Sequence, residues 1–222
     1  MPTTLITGAS SGLGAEMARQ FAALGHDLAL SARRTDRLTE LRAEILDTHP
    51  ERRIEIRALD VTDDDAVFEV FHAFANDFGY LDRIIINAGL GKGARLGTGK
   101  YYANRQTAMT NFVAALAQAE AAMEIFREQK RGHLVFISSM SAMRGMPKAL
   151  NVYAATKAGV ANLAEGLRSE MQSTPDLDVV VSTIYPGYIR SEMNEYVENA
   201  LFMVDTETGV KAIVAAIEAE KA

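Results

Sequence analysis

The sequence predicts an α/β fold, a parallel, doubly wound sheet with helices on both faces. Three observations predict it. Short runs rich in β-branched and aliphatic residues alternate with longer helical stretches, six times over. A glycine-rich turn joins the first strand directly to the first helix. No linker, repeat or low-complexity stretch divides the 222 residues, so 1–222 reads as one domain.

The elements follow in order. The first strand is Thr3-Thr4-Leu5-Ile6-Thr7. A helix starts at about Gly12, with Leu13, Met17, Phe21 and Leu24 on one face and Gly25 placed to end it. The second strand is Asp27 to Ser31, followed by a charged helix from Thr35 to Asp47. The third strand is Arg53 to Leu59. Thr62 is expected to cap the next helix, with Asp63, Asp64 and Asp65 in a first turn that favours negative charge. That helix buries Val67, Phe71, Phe74 and Phe78. The fourth strand, Arg83 to Ile86, leads into Ala88 to Gly99, which has five glycines with Lys92 and Arg95 among them. This stretch reads either as a loop near a ligand or as a plain surface loop. A long helix covers Ala103 to Lys130, and the fifth strand is His133 to Ile137. A loop runs to Leu150, a helix from Asn151 to Met171, and the sixth strand from Val179 to Ile184. A last helix fills Thr206 to Glu220.

Composition excludes several functions. Apolar residues make up 48% and charged residues 23%, an ordinary globular balance. The net charge of −6 argues against nucleic acid or an anionic membrane as the main partner. With no cysteine there is no disulfide, thiolate zinc site or cysteine nucleophile. His26, His49, His72 and His133 lie outside metal-motif spacing of one another, so no metal site is expected. Met1 to Thr4 leads straight into the first strand with no signal segment. The apolar run Phe112 to Phe126 carries Gln118, Glu120 and Glu124, so it reads as a core helix rather than a membrane span. A cytoplasmic protein is expected.

The first strand ends in Thr7-Gly8-Ala9-Ser10-Ser11-Gly12-Leu13-Gly14. Glycines here permit a tight turn and let a pyrophosphate reach the free N–H groups of a helix N-terminus. The spacing, T-G-x-x-x-G-x-G, resembles the glycine motif of the short-chain dehydrogenases/reductases, and the likeness continues along nearly the whole chain. It implies a Rossmann fold, with Gly8, Ser10, Ser11, Gly12, Leu13 and Gly14 at the cofactor.

Which cofactor is read from the end of the second strand. An NAD site wants a carboxylate there for the ribose 2′-hydroxyl. This chain has Ser31-Ala32-Arg33-Arg34 instead. Arginine can pair with a 2′-phosphate and stack on adenine, so NADP is expected, with Arg33 and Arg34 as its ligands. The other reading makes them solvated loop charges. Asp60-Val61 resembles the family's pair at the adenine, and a capping or solvated Asp60 is the alternative. Asn87-Ala88-Gly89 matches the family's N-A-G turn along the cofactor, although the usual doubled asparagine is Ile86-Asn87 here.

Tyr153 and Lys157 stand at i and i+4 and share a helix face. Carbonyl reduction needs a proton donor, and a free tyrosine with a pKa of about 10 is a poor base in reverse. An ammonium roughly 5 Å away would favour the phenolate by about 3 kcal/mol. The resemblance makes Tyr153 the acid/base, with Lys157 lowering its pKa and holding the cofactor ribose. It places the catalytic serine at Ser139, second of the Ser138-Ser139 pair, with Ser141 as the substitute. The Ser139-to-Tyr153 interval is one residue longer than the family's common spacing. Asn111 matches the asparagine that interrupts its helix and supports a proton relay; otherwise it is a buried asparagine bonded to a nearby carbonyl. Pro186-Gly187-Tyr188-Ile189-Arg190-Ser191 resembles the family's P-G-x-x-x-T stretch, which implies nicotinamide contacts at Pro186, Gly187, Ile189 and Ser191. Residues 188–205, rich in Met193, Tyr196, Leu201, Phe202 and Met203, would form one wall of the substrate site. The same residues would equally pack on the sheet or a partner.

The activity implied is hydride transfer between NADP(H) and a small-molecule carbonyl or alcohol. A non-catalytic NADP sensor or scaffold is the alternative, and an isomerase, epimerase or dehydratase is a third class. A homodimer or homotetramer through the two alanine-rich helices is implied. The family fold closes with a seventh strand after the last helix. This sequence stops at Ala222, so either that strand is absent or the natural chain extends further, which is what we expect.

Overall fold

The computed structural model describes residues 1–190, 192 and 203–220. Six strands, β1 (Thr3–Thr7), β2 (Asp27–Ala32), β3 (Ile54–Ala58), β4 (Arg83–Ile86), β5 (Arg131–Ile137) and β6 (Asp178–Ile184), form one parallel sheet in the order β3-β2-β1-β4-β5-β6. The order reverses between β1 and β4, so a crevice opens there at the carboxyl ends of the strands.

The strands are apolar on both faces, as buried parallel strands must be. Alternate residues feed two separate cores. Leu5, Ile84, Ile86, Leu134 and Phe136 point to one side, under α3 (Asp64–Phe78), α5 (Ala114–Gln129) and α6 (Asn151–Gln172). Ile6, Ile85, Val135 and Ile137 point to the other, under α1 (Gly12–Ala23), α2 (Thr35–Thr48) and α7 (Thr206–Glu218). Phe71, Phe74 and Phe126 fill the first core and Phe21 the second, all fully buried, each contributing about 2–3 kcal/mol.

The expected elements form, with three corrections. The α3 cap is Asp63, which accepts from the Ala66 N–H at 3.1 Å. Thr62 falls one residue too early, and its hydroxyl donates to Asp60 at 2.8 Å instead. The long fourth helix begins at Tyr101, before Ala103, and is not continuous. It runs as α4 (Tyr101–Ala108), a π turn at Met109–Val113, then α5. It stops at Gln129 because Lys130 turns left-handed at φ 65°. The loop before α6 carries two short 3-10 turns, Met140–Met143 and Lys148–Leu150. Gly25, at φ 96°, ends the α1 region as expected.

Candidate active site

The carboxyl ends of the strands frame a cleft of about 1070 Å³. The β1–α1 turn forms its floor. Gly8 and Gly12 take φ values of 66° and 54°, which disfavour any side chain. Gly14 is needed for a different reason. A Cβ there would collide with the Gly8 carbonyl oxygen and sit 2.7 Å from Asn87 Nδ2. The first turn of α1 itself carries no acidic residue. Ser10, Ser11 and Leu13 line the same floor.

Asn87 locks the turn to β4. Its Nδ2 donates to the Thr7 carbonyl at 2.8 Å, and its N–H and that of Ala88 both donate to the Thr7 hydroxyl at 3.1 Å. Ala88 and Gly89 follow along the cleft wall.

Arg33 and Arg34 diverge. Arg33 is exposed and lies 3.9 Å from Asp60, beside buried Val61. Arg34 turns into the cleft. It donates to the Ser10 hydroxyl at 3.2 Å, to the Ser11 hydroxyl at 2.6 Å and to Glu192 at 3.1 Å. Arg37, on the first turn of α2, also donates to Glu192. The hydrogen bond from Arg37 holds the Glu192 carboxyl below its ordinary pKa, as do those from Ser11 and Arg34.

Across the cleft, α6 presents Tyr153 and Lys157. Lys157 is buried, with Nζ donating to the Ile137 carbonyl at 2.7 Å and lying 6.0 Å from the centre of the Tyr153 ring. Burial lowers its pKa to about 8. Burial raises the Tyr153 pKa, and a hydrogen bond with Ser139 opposes the rise. In the protein alone burial thus sets the net direction at the phenol upward, opposite to the one expected from the Lys157 charge.

Ser139 ends β5. Its oxygen accepts from the Ser141 N–H at 3.2 Å and the Ser141 hydroxyl at 3.0 Å. Ser139 thus faces Tyr153 and Ser141 stands behind it. Ser138 is buried and points away, donating to the Lys157 carbonyl at 2.8 Å, so it ties β5 to α6.

Asn111 sits in the π turn, 1% exposed, outside the cleft lining. Its side chain brackets Leu90, accepting from the N–H at 2.7 Å and donating to the carbonyl at 2.9 Å. A Cβ on Gly89 would be 3.6 Å from both Asn111 Oδ1 and Lys157 Nζ, so the two groups converge on that turn. Pro186, Gly187 and Ile189 close the far wall. Ile189 bridges to Val204 and packs against Gly209 at the start of α7. Ser191, Met193, Tyr196, Leu201 and Phe202 lie outside the described residues.

Two features escaped the motif reading. Met140, Met143 and Met146 line the cleft beside Ser139. Their three-residue spacing directly after the serine pair was the available signal. The Arg37–Glu192 pair had none, since 155 positions separate the partners. Among the described residues no helix is long and apolar enough to cross a membrane.

The geometry defines a doubly wound α/β fold with a glycine-rich turn and a Ser139–Tyr153–Lys157 group in one cleft. A family model described as short chain dehydrogenase matches residues 2–201, and the chain belongs to that family, whose fold binds a nicotinamide cofactor. An uncharacterized oxidoreductase of Mycobacterium tuberculosis is 54% identical over 216 residues, which are 97% of this chain and 84% of the relative. A short-chain dehydrogenase from Sphingobium yanoikuyae, solved with NADPH, is 28% identical with a TM-score of 0.86, covering 99% of this chain and 85% of its own. A bulky-bulky ketone specific alcohol dehydrogenase from Comamonas testosteroni is also 28% identical, with a TM-score of 0.84 over 100% of this chain and 84% of its own.

Proposed function

We propose that the protein transfers a hydride between NADP(H) and a carbonyl or alcohol carbon, with Tyr153 as acid/base. One observation carries the reading: Ser139, Tyr153 and Lys157 meet in the same cleft as the glycine turn.

The residues fit the cofactor. The Gly8–Gly14 turn leaves room for a pyrophosphate at the N-terminus of α1. Among the described residues the Ile137 carbonyl takes one of the three N–H groups of the buried Lys157 ammonium, and ribose hydroxyls would satisfy the others. Arg34, Ser10 and Ser11, with Arg33 nearby, supply donors suited to a 2′-phosphate. Asp60, Val61, Asn87, Ala88 and Gly89 would line the adenosine and its link to the nicotinamide. Pro186, Gly187, Ile189 and Ser191 would contact the carboxamide. When bound, the nicotinamide ring gives or takes the hydride.

The chain's own groups handle the proton. Ser139 holds the substrate oxygen beside the Tyr153 hydroxyl. Tyr153, a phenol protonated at neutral pH, donates to the developing alkoxide during reduction. Lys157, ionised below pH about 8, steadies the phenolate left behind. Oxidised cofactor adds a second positive charge with the same sense. Asn111 positions the Gly89–Leu90 turn that faces Lys157 and supports the proton path. Residues 188–205 would supply the remaining substrate wall within a single domain, 1–222.

NADP use favours reduction. Phe112, Val113 and Leu116, partly exposed along the π turn and α5, support assembly with copies of the chain. Tyr153→Phe should bind NADPH like the wild type while losing ketone-dependent NADPH oxidation at least about a hundredfold. Equal rates in Tyr153→Phe would refute the assignment. A wild type that binds NADPH but turns over no carbonyl would favour a sensor or scaffold.

A further inference from the structure

The cleft does not end at the catalytic groups. Beyond Ser139 it is walled by Met140 and Met143, 62% and 65% exposed, then by Met146 and Leu150, with Tyr188 opposite. Met140 lies close to the nicotinamide side, its sulfur 3.3 Å from where a Gly187 Cβ would be. Flexible, polarizable side chains left bare beside a reactive group suit a varied apolar body.

The charge on the two loops beyond Ser139 and Gly89 is one-sided. The chain carries 29 acidic residues and a net charge of −6. Residues 83–119 and 129–164 contain no Asp or Glu, and they supply the two loops that carry Arg95, Arg144 and Lys148. Arg144 stands between Met143 and Met146 in the cleft lining. Lys148 and Arg95 converge on a second groove, also lined by Leu96 and Asn151, and Lys148 and Asn151 flank the cleft-lining Leu150 in the chain. The loops are held together, because a Cβ on Gly93 would strike the Ala149 carbonyl. Loop 88–100 is anchored on α4 by Ala94 N–H to Asn104 at 2.9 Å and by the Thr107 hydroxyl to the Lys92 carbonyl.

Several arginines elsewhere are matched by carboxylates, among them Arg19 by Glu44, Arg57 by Asp77 and Arg127 by Glu170. Among the described residues none pairs with Arg95, Arg144 or Lys148. Lys148 is also held at φ 63°, a strained backbone for lysine.

We propose that the substrate is an amphipathic anion, a carbonyl compound whose apolar body lies on Met140, Met143 and Leu150 and whose acidic group, carboxylate or phosphate, is held by Arg144, Lys148 and Arg95. This rests on reading the cleft as a carbonyl-reduction site, and it names the class of substrate taken there.

The test uses 4-benzoylbenzoate, 4-benzoylphenyl phosphate and the neutral methyl ester of the first. Each is titrated into NADPH-saturated protein by calorimetry and assayed for NADPH oxidation. One or both anions should bind at least about tenfold tighter than the ester, and the margin should shrink as salt rises. Arg144→Glu with Lys148→Glu should erase it, through KM more than kcat, and Arg144→Gln should reduce it. Which anion gains more identifies the acidic group. NADPH affinity, measured first, reports that each variant is folded. An ester bound as tightly as both anions, no binding of any of the three, or a margin unchanged by charge reversal would overturn the proposal. Failure of the underlying reading shows separately, as wild-type protein that does not bind NADPH.

Discussion

His133 makes the fold sensitive to acid, and the size of the effect follows from its contacts. The ring is buried in β5. Its Nδ1 accepts from Arg83 Nε at 3.0 Å, so the proton sits on Nε2, which donates to the Ser182 hydroxyl at 2.9 Å. Arg83 is itself paired with Glu218 and lies 5.3 Å from the centre of the Phe21 ring, so it cannot easily turn away. A second proton would have to enter a buried ring facing a guanidinium. Burial, then the Arg83 charge, lowers the His133 pKa to about 3. The unfolded chain protonates near 6.5. The stability is therefore full above pH 6.5 and is lost as pH falls toward 3. Each pH unit in that window removes about 1.4 kcal/mol, so about 2 kcal/mol is gone by pH 5. Urea unfolding at pH 7.5 and pH 5 measures this. In His133→Asn an amide oxygen can still accept from Arg83 but does not titrate. That variant should be less stable at pH 7.5 and lose about 2 kcal/mol less than the wild type on going to pH 5. Equal losses in the two proteins would refute the reasoning.

Other consequences are as specific. Gly14→Ala drives a Cβ into the backbone of the β1–α1 turn and should cost about 1–3 kcal/mol and weaken NADPH binding, by thermal melt and titration. Gly166→Ala, exposed in α6 with nothing within 4 Å of the new Cβ, should instead stabilise by about 0.5–1 kcal/mol. Ser138→Ala removes the buried bond to the Lys157 carbonyl and should cost about 1–3 kcal/mol in urea unfolding. Glu192→Gln frees Arg34 and Arg37 from a shared carboxylate. It should tighten NADPH binding more than NADH binding, most clearly at low salt; looser NADPH binding would show that Glu192 helps hold the cofactor.

What was legible in the sequence is what backbone geometry demands. The glycines of the β1–α1 turn, the Tyr153–Lys157 spacing and the alternation of strands and helices each express a local constraint. Asn87 was legible as part of a motif, but not its hold on Thr7, which depends on β1 and β4 lying side by side. The α3 cap slipped by one residue because Thr62 and Asp63 are both good caps, and Asp60 decides between them by taking the Thr62 hydroxyl. The direction of the Tyr153 pKa was missed because burial is a tertiary quantity, whereas the Lys157 charge could be placed by helical spacing alone. The Arg83–His133–Ser182 chain of hydrogen bonds joins three strands and leaves no local pattern.

The most direct test of the account is a parallel titration of NADPH and NADH into wild type and into Arg33→Ala/Arg34→Ala. The account predicts NADPH binding at least about tenfold tighter than NADH in the wild type. In the double variant that preference should disappear, mainly through weaker NADPH binding. NADH bound as tightly as NADPH by the wild type, or a preference that survives the loss of both arginines, would contradict it.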